Sequence, residues 1–106
     1  MPDNQIDALV SKLRAQVTNS PCRDHLFAHL SELMQSRIHA LINRYRLHDL
    51  REDAEQAAAI GLLKAIETFD QTKASFVTHA AWQIRGELQS LRHRMRLDQR
   101  QSALSA

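Results

Sequence analysis

Glycine and proline are scarce in this sequence. Only two of each occur in the 106 residues, and runs of β-branched residues are short. These two residues interrupt helices and form the turns of β-rich proteins, so their scarcity predicts an all-α fold. At this length the chain is expected to form one domain that buries a single hydrophobic core.

Cysteine and long hydrophobic runs are also lacking. The single Cys22 excludes an internal disulfide and fits a reducing compartment, where we expect it to be a small buried hydrophobic residue. No hydrophobic run approaches the ~20 residues that a membrane-spanning helix needs, and the N-terminus does not resemble a signal peptide. We therefore expect a cytoplasmic protein that does not contact a membrane.

The common catalytic motifs are missing. The sequence contains no glycine-rich phosphate loop, no nucleophile elbow and no paired-cysteine metal motif. His25 and His29 have the four-residue spacing of a helical metal pair, but no third ligand accompanies them, so surface histidines are the preferred interpretation. We expect neither an enzyme nor a bound metal or cofactor.

Charge is small in total but unevenly distributed. The formal net charge is +2. Residues 49–70 contain six acidic and two basic residues, a balance of −4, whereas residues 82–106 contain five arginines and two acidic residues, a balance of +3. An acidic segment followed by a basic one suggests two different partners, the second of them a phosphate backbone. The alternative is two ordinary solvated helix faces.

Hydrophobic periodicity predicts a compact bundle of about four helices. The first helix is expected within residues 1–19, with Asp3 or Asn4 as its cap, and Ser20 caps the second helix, with Pro21 at its first position. The predicted buried side chains of these two helices are Ile6, Leu9, Val10, Leu13 and Val17, followed by Leu26, Phe27, Leu30, Leu33, Met34, Ile38, Leu41, Ile42 and Tyr45.

Two more helices complete the bundle. The third begins around Arg51, and its many small residues, Gly61 among them, predict close packing against a neighbour. Ser75 is the expected cap of the last helix. Residues 98–106 lack periodicity and are predicted to be a flexible tail on a single domain of residues 1–97. The predicted buried side chains are Ala54, Ala57, Ala58, Gly61, Leu62, Ala65, Ile66 and Phe69, followed by Val77, Ala80, Ala81, Ile84, Leu88, Leu91 and Met95.

Residues 53–85 resemble region 2 of bacterial RNA polymerase sigma factors of the primary and flagellar types. That family reads Asp-Leu-x-Gln-x-Gly-x-Ile-Gly-Leu-x-Lys-Ala-Ile-x-x-Phe-Asp and then Phe-x-Thr-Tyr-Ala-x-Trp-x-Ile-Arg. The resemblance extends from about Leu26 to Arg96, within a region 2-like segment of residues 21–97. The identities are Asp53, Gln56, Ile60, Gly61, Leu62, Lys64, Ala65, Ile66, Phe69 and Asp70, then Phe76, Thr78, Ala80, Trp82, Ile84 and Arg85.

The resemblance implies two binding surfaces. In the family, the helix equivalent to residues 53–63 docks on the coiled coil of the polymerase β′ subunit. The last helix faces the −10 promoter element, whose non-template strand it opens and holds. The implied polymerase-binding residues are Asp53, Gln56, Ile60 and Leu63. The implied DNA-binding residues are Phe76, Thr78, His79, Trp82, Gln83, Arg85, Gln89, Arg92, Arg94 and Arg96.

Two aromatic residues are candidate platforms for unpaired bases. Stacking of a base on an aromatic side chain is worth ~1–3 kcal/mol, so Phe76 and Trp82 can hold a melted strand while the arginines contact its phosphates. The competing interpretation is that Phe76 closes the core and Trp82 is partly buried.

The sequence departs from the family pattern on both surfaces. Ala57 and Ala59 stand at docking positions that usually hold Glu and Asn, so fewer polar contacts to the polymerase are expected. Ala58 replaces a glycine. His79 replaces the tyrosine on which the flipped base stacks, and Gln83 replaces the second of two paired tryptophans.

Four functions are compatible with these patterns. The leading hypothesis is a sigma-like transcription factor that binds polymerase core and −10 DNA. Because the sequence contains no helix-turn-helix for the −35 element, we expect a partner, such as a second sigma-like subunit, to supply that function. The alternative is a regulatory mimic that binds polymerase, an anti-sigma factor or another regulator without melting DNA. A non-sequence-specific nucleic-acid-binding module and a self-associating helical domain are the remaining possibilities.

Overall fold

The fold is a bundle of α-helices. The computed structural model describes the backbone of residues 2–105 and the side chains of residues 5–104. Within this part of the chain there are four α-helices and no strands, as the sequence predicts. The helices are α1 (Pro2–Ala15), α2 (Pro21–Arg44), α3 (Arg51–Thr68) and α4 (Phe76–Ser105).

The start of α2 is confirmed and that of α1 is corrected. The Arg23 N–H donates a hydrogen bond of 3.1 Å to Ser20 Oγ, and Pro21 occupies the first turn, where a missing N–H costs nothing. By contrast, α1 begins at Pro2. The predicted caps Asp3 and Asn4 therefore lie inside the helix and not at its boundary.

Two non-glycine residues with left-handed backbone conformation lie in the connections that follow the first two helices. Asn19 follows α1 with a φ of 68°, and Arg46 follows α2 with a φ of 56°. Asparagine tolerates this conformation well, whereas arginine adopts it at some cost. After Arg46, the Leu47 N–H donates to the Ile42 carbonyl at 3.1 Å, and a short 3₁₀ turn (His48–Leu50) leads into α3. The chain thus reverses between α2 and α3 without a glycine.

All four helices contribute to one core. Two sequence expectations about burial were wrong. Val17 is 77% exposed because α1 has already ended at Ala15, and Cys22 is exposed in the first turn of α2. The buried hydrophobic side chains are Ile6, Leu9, Val10, Leu13, Leu30, Met34, Ile42, Leu47, Ala54, Ala57, Ala58, Leu62, Ala65, Ile66, Phe69, Phe76, Ala80, Ile84, Leu88 and Leu91.

Helices α3 and α4 form the tightest pair. A Cβ built on Gly61 would lie 2.7 Å from Ile84 Cα and 3.0 Å from Ile84 N, so only glycine lets the two backbones come this close. Nearer the connecting turn, Thr68 reaches His79, which shows that the helices run in opposite directions. The predicted reason for Gly61 is therefore confirmed.

The C-terminal part of the chain is helical up to Ser105. The sequence predicted a tail from residue 98, but residues 98–105 contain no glycine or proline and continue α4. Their described side chains are exposed, so this end of the helix extends away from the core. The division into a domain and a flexible tail stays a prediction. Among the described residues, no helix is long and apolar enough to cross a membrane.

Candidate binding surfaces

An exposed apolar stripe runs along α3. Ile60 is 47% exposed and Leu63 is 43% exposed. Asp53 and Gln56 are exposed as well, and the spacing of three or four residues places all four on one side of the helix. The structure therefore brings together the four residues that the resemblance assigned to polymerase binding. We call Asp53, Gln56, Ile60 and Leu63 the α3 stripe.

Acidic side chains border the α3 stripe. Glu52 and Glu67 are exposed, and each lies one helical turn from a residue of the stripe. Glu67 was not among the residues expected on this surface, although its distance of four residues from Leu63 places it on the same side of the helix. Ala57, a docking position in the family, is only 6% exposed and belongs to the buried face. The stripe thus offers apolar contact area inside a negative rim.

A groove of about 440 Å³ separates the α3 stripe from the far half of α4. Arg94 and Asp98 line this groove opposite Asp53 and Ile60. At 100° per residue, Arg94 points away from Arg92, since the two are two residues apart on the helix. The structure therefore separates Arg94 from the other DNA-binding candidates and places it beside the candidate polymerase surface.

The two aromatic candidates on α4 have opposite environments. Phe76 is completely buried, and its ring packs edge-to-face on Phe69 with 5.3 Å between centroids. A ring in this position has no face free for a base, so Phe76 is a core residue in this structure. Trp82 is 68% exposed, and the Arg85 guanidinium carbon lies 5.6 Å from the centre of its ring. Only Trp82 is available as a stacking platform.

His79 is held from two directions. Its Nε2 lies 2.8 Å from Thr68 Oγ1, and its ring faces Phe69 at 6.3 Å with a tilt of 36°. The Thr68 hydroxyl also contacts the Lys64 carbonyl at 2.7 Å. The imidazole therefore has a fixed position next to the turn between α3 and α4, one helical turn from Trp82.

The polar and basic candidates continue the line from Trp82 along α4. Arg85, Arg92 and Arg96 follow at helical spacing, and the first two are half-buried while Arg96 is exposed. Gln89 lies on the same side and donates a hydrogen bond of 3.2 Å to the hydroxyl of Tyr45, which directly follows α2. We call Trp82, Arg85, Arg92 and Arg96 the α4 stripe.

The remaining two candidates border this line. Thr78 accepts a hydrogen bond of 3.1 Å from Ser75 Oγ at the start of α4. Gln83 is half-buried on the flank that faces α3, where its backbone lies close to Gly61. Thr78 is exposed and lies on the same side of α4 as the α4 stripe, one helical turn before Trp82, whereas Gln83 flanks the stripe.

Helix α1 anchors both ends of the turn between α3 and α4. The Phe76 N–H donates a hydrogen bond of 3.0 Å to Asp7 Oδ1, and Arg14 donates one of 2.7 Å to the Phe69 carbonyl. The predicted cap Ser75 also contributes, since its Oγ lies 3.4 Å from the Thr78 N–H. Asp7 and Arg14 were not predictable from the sequence, because no local pattern relates them to residues more than fifty positions away.

The turn between the two helices contains one electrostatically tuned carboxylate. The Thr72 hydroxyl and then the Thr72 N–H donate hydrogen bonds to Asp70 and lower its pKa, and Lys73 and Arg14 add a smaller attraction. Hydrogen bonds to the ionised form stabilise it. The turn is thus a locally hydrogen-bonded structure at neutral pH.

The described residues give no metal site. No group of three or more His, Cys, Asp or Glu side chains in this part of the chain is arranged to hold a metal ion. His25 and His29 are exposed on α2. The chemistry available on the two stripes is apolar contact, stacking, hydrogen bonding and ion pairing.

Comparison with known proteins gave one match. A family model described as Sigma-70 region 2 matches residues 30–100. Comparisons with curated proteins and with solved structures gave no match. The matched residues contain α3 and most of α4, and with them both stripes, whereas α1 lies outside the match.

Proposed function

Because the chain belongs to the sigma-70 region 2 family, we propose that it binds RNA polymerase core through the α3 stripe and the −10 promoter strand through the α4 stripe. Region 2 domains of this family belong to transcription initiation factors and not to enzymes. The family resemblance that the sequence indicated is therefore confirmed, and the assignment of partners to the two stripes is our proposal.

The observation that carries the proposal is the exposure of large apolar side chains in both stripes, on two closely packed helices. Large apolar side chains are normally buried, and contiguous exposed ones mark binding surfaces. Ile60 and Leu63 on α3 and Trp82 on α4 are all substantially exposed. Gly61 lets the backbones of the two helices pack closely, and this packing sets how the two surfaces lie relative to each other.

The two stripes differ in the chemistry that they offer. The α3 stripe combines apolar side chains with acidic neighbours, which fits a partner helix that carries apolar and basic residues. The α4 stripe combines one aromatic side chain with three arginines. This combination fits a single strand, because a base can stack on Trp82 while the phosphates contact the arginines. Each surface is suited to one of the two partners.

Polymerase binding is tested with purified core enzyme and the full chain. The double variant Ile60→Asp, Leu63→Asp should lower the affinity at least ten-fold, since full burial of one such side chain is worth about 1.5–3 kcal/mol. Val17→Asp is the matched control, because Val17 is also exposed but lies beyond the end of α1. Equal affinity of the double variant and the control would overturn the assignment of the α3 stripe.

Strand binding is tested with a labelled single-stranded oligonucleotide that carries the −10 non-template sequence. Trp82→Ala should weaken binding by about 1–3 kcal/mol. Leu104→Ala is the control, because Leu104 is 84% exposed on the same helix. Trp82 is the only tryptophan in the chain, so quenching of its fluorescence by unlabelled oligonucleotide gives a second readout in the unmodified protein.

A regulatory mimic is the second candidate function. It is favoured by the complete burial of Phe76, because, of the two candidate stacking platforms on α4, only Trp82 is then accessible to a base. Such a protein would bind polymerase, an anti-sigma factor or another regulator and would not hold melted DNA. Polymerase binding that depends on the α3 stripe, together with no oligonucleotide binding at low salt, would establish this alternative over the first.

A further inference from the structure

The far end of α4 has an apolar side that faces away from the core of its own chain. Leu97 is 43% exposed and Leu104 is 84% exposed. They are two helical turns apart and therefore lie on one side of the helix. Leu91 and Met95, which pack on the core, lie on the other side. Because this part of α4 also extends away from the core, both leucines are left open to solvent.

A basic side chain lies between the two leucines. Arg100 is exposed and is one helical turn from Leu97 and one from Leu104. The neighbouring acidic residue Asp98 lies on another side of the helix, where it lines the groove opposite Asp53. We call Leu97, Arg100 and Leu104 the α4 end. Helices gain most of their stability from packing, so a partner that covers the α4 end would stabilise it.

The α3 stripe has the complementary chemistry. Its two apolar side chains are exposed, and carboxylates lie on the stripe or one helical turn from it. These acidic residues are Asp53, Glu52 and Glu67. None of them has an ion-pair partner among the described residues, whereas Lys64, which borders the stripe, is paired with Glu87. The stripe is thus an apolar surface with a negative rim, and the α4 end is an apolar surface with a positive centre.

We infer that the α4 end of one copy of this chain covers the α3 stripe of a second copy. The apolar side chains of both surfaces then leave water, and Arg100 meets carboxylates. Pairing of two α4 ends would bring like charges together, and a nucleic acid would use Arg100 but leave the leucines exposed. Each copy carries one of each surface, so two copies that exchange them form a symmetric dimer. The contact is small, and we expect weak association.

The dimer adds a regulation to the proposed polymerase binding, and this part of the inference rests on that function. One α3 stripe cannot contact a second copy and polymerase at the same time. Only the monomer is then competent for polymerase, so the dimer reduces the concentration of competent protein. The protein would bind polymerase most efficiently when it is dilute.

The first test is sedimentation equilibrium of the full chain. A monomer–dimer equilibrium is expected, and it should weaken as salt screens the charges. The end variant (Leu97→Ser, Leu104→Ser) and the stripe variant (Ile60→Asp, Leu63→Asp) should each raise the dissociation constant of the dimer at least about ten-fold. Val17→Ser changes an exposed apolar residue outside both surfaces and is the matched control. A monomer at every concentration, or assemblies larger than a dimer, would overturn the inference.

The second test asks whether the two surfaces contact each other. The stripe variant keeps an intact α4 end, and the end variant keeps an intact α3 stripe. A mixture of the two should therefore associate, although neither does so by itself. All four substituted positions are exposed, so circular dichroism should show unchanged helix content. A stripe variant that still dimerises by itself would overturn the inference, because the contact would then not involve α3.

The third test measures the regulation with labelled polymerase core at trace concentration. At a protein concentration where about three quarters of the chains are dimeric, the unmodified protein should occupy polymerase only as much as the end variant does at about a quarter of that concentration. Equal occupancy at equal concentration would overturn the regulation by dimerisation.

The outcomes separate this inference from the function on which it rests. Loss of polymerase binding in every protein would overturn the proposed function, whereas the dimer is detected by sedimentation without polymerase. An unmodified protein that stays monomeric, together with an end variant that loses affinity for single-stranded oligonucleotide, would assign the α4 end to nucleic acid and overturn the inference.

Discussion

The exposed faces of α3 and α4 differ in whether their side chains already contact other residues of the protein. On α3, Ile60 and Leu63 project into solvent as simple apolar surface. On α4, Arg85 lies against Trp82, His79 is bound to Thr68, and Gln89 is bound to Tyr45. The α3 face therefore offers apolar contact area, whereas the α4 face offers side chains whose orientations are set by contacts within the protein.

This difference indicates two modes of recognition. Apolar area binds by excluding water and tolerates some variation in geometry, whereas base recognition needs donors and acceptors in defined directions. The anchors of the α4 face come from elsewhere in the fold: Asp7 from α1 and Thr68 from α3. Changes in the core and in the anchors should therefore disturb the α4 face more than the α3 face.

The largest expected effect separates the two aromatic residues of α4. Phe76→Ala should lower the free energy of unfolding by about 3–5 kcal/mol, since it removes a fully buried ring. Trp82→Ala, at a largely exposed position, should change it by less than about 0.5 kcal/mol. Urea denaturation followed by circular dichroism measures both. Similar values for the two variants would contradict the opposite environments assigned to them.

The next prediction tests the close packing of α3 against α4. Gly61→Ala should destabilise by about 1–3 kcal/mol, because its Cβ meets the backbone of Ile84, which cannot move independently. Gly86→Ala is the matched control on α4. Apart from its chain neighbours and the backbone of its own helix, no atom lies within 4 Å of a Cβ at that position, so the better helix propensity of alanine should stabilise by up to about 1 kcal/mol. The opposite signs are measured by thermal or urea unfolding.

A smaller loss of stability should be concentrated at the start of α4. Asp7→Ala removes the acceptor for the Phe76 N–H and should cost about 0.5–2 kcal/mol of stability. Amide hydrogen exchange should accelerate at residues 76–78, while the exchange of α3 amides changes less. Asp7→Asn keeps an acceptor oxygen and should restore most of the protection. Uniform acceleration in both helices would contradict the role of Asp7 as a local anchor.

The smallest expected effect is the dependence of stability on the ionisation of Asp70, in the turn between α3 and α4. The hydrogen bonds from Thr72 lower the pKa of Asp70 below its ordinary value of 3.8. The stabilisation is therefore complete above pH 3.8 and is lost as the pH falls through the lower folded-state pKa. An NMR titration of the Asp70 carboxyl in the folded protein should give a midpoint below 3.8, and Thr72→Ala should raise it. An unchanged midpoint in that variant would contradict the assigned cause.

Much of the fold was readable because it depends on periodicity and local turn chemistry. The Ser20–Pro21 start of α2 and the buried face of α3 follow from patterns within a few residues. The errors have local causes too. Val17 continued the apolar spacing beyond the end of its helix, and Cys22 was assigned from the average behaviour of cysteine. Neither the apolar spacing nor the average behaviour of a residue type indicates where a helix ends or which of its side chains are exposed.

The binding surfaces were predicted less completely. The α3 stripe follows from helical spacing, so its four residues lie together as expected. On α4, residues that are close in sequence diverge: Phe76 enters the core, Arg94 turns toward α3, and Trp82 projects outward. The family pattern names these positions but does not say which way a given side chain points in this chain.

The sequence by itself determined the family, the helical class and the face of each helix that is buried, because these depend on residue type and spacing along one element. Only the tertiary structure decided how the helices anchor one another. It brought Asp7 to the start of α4 and Thr68 to His79, and it enclosed Phe76 while leaving Trp82 open. Contacts between distant segments fix hydrogen-bond partners and exposure, and no local pattern encodes them.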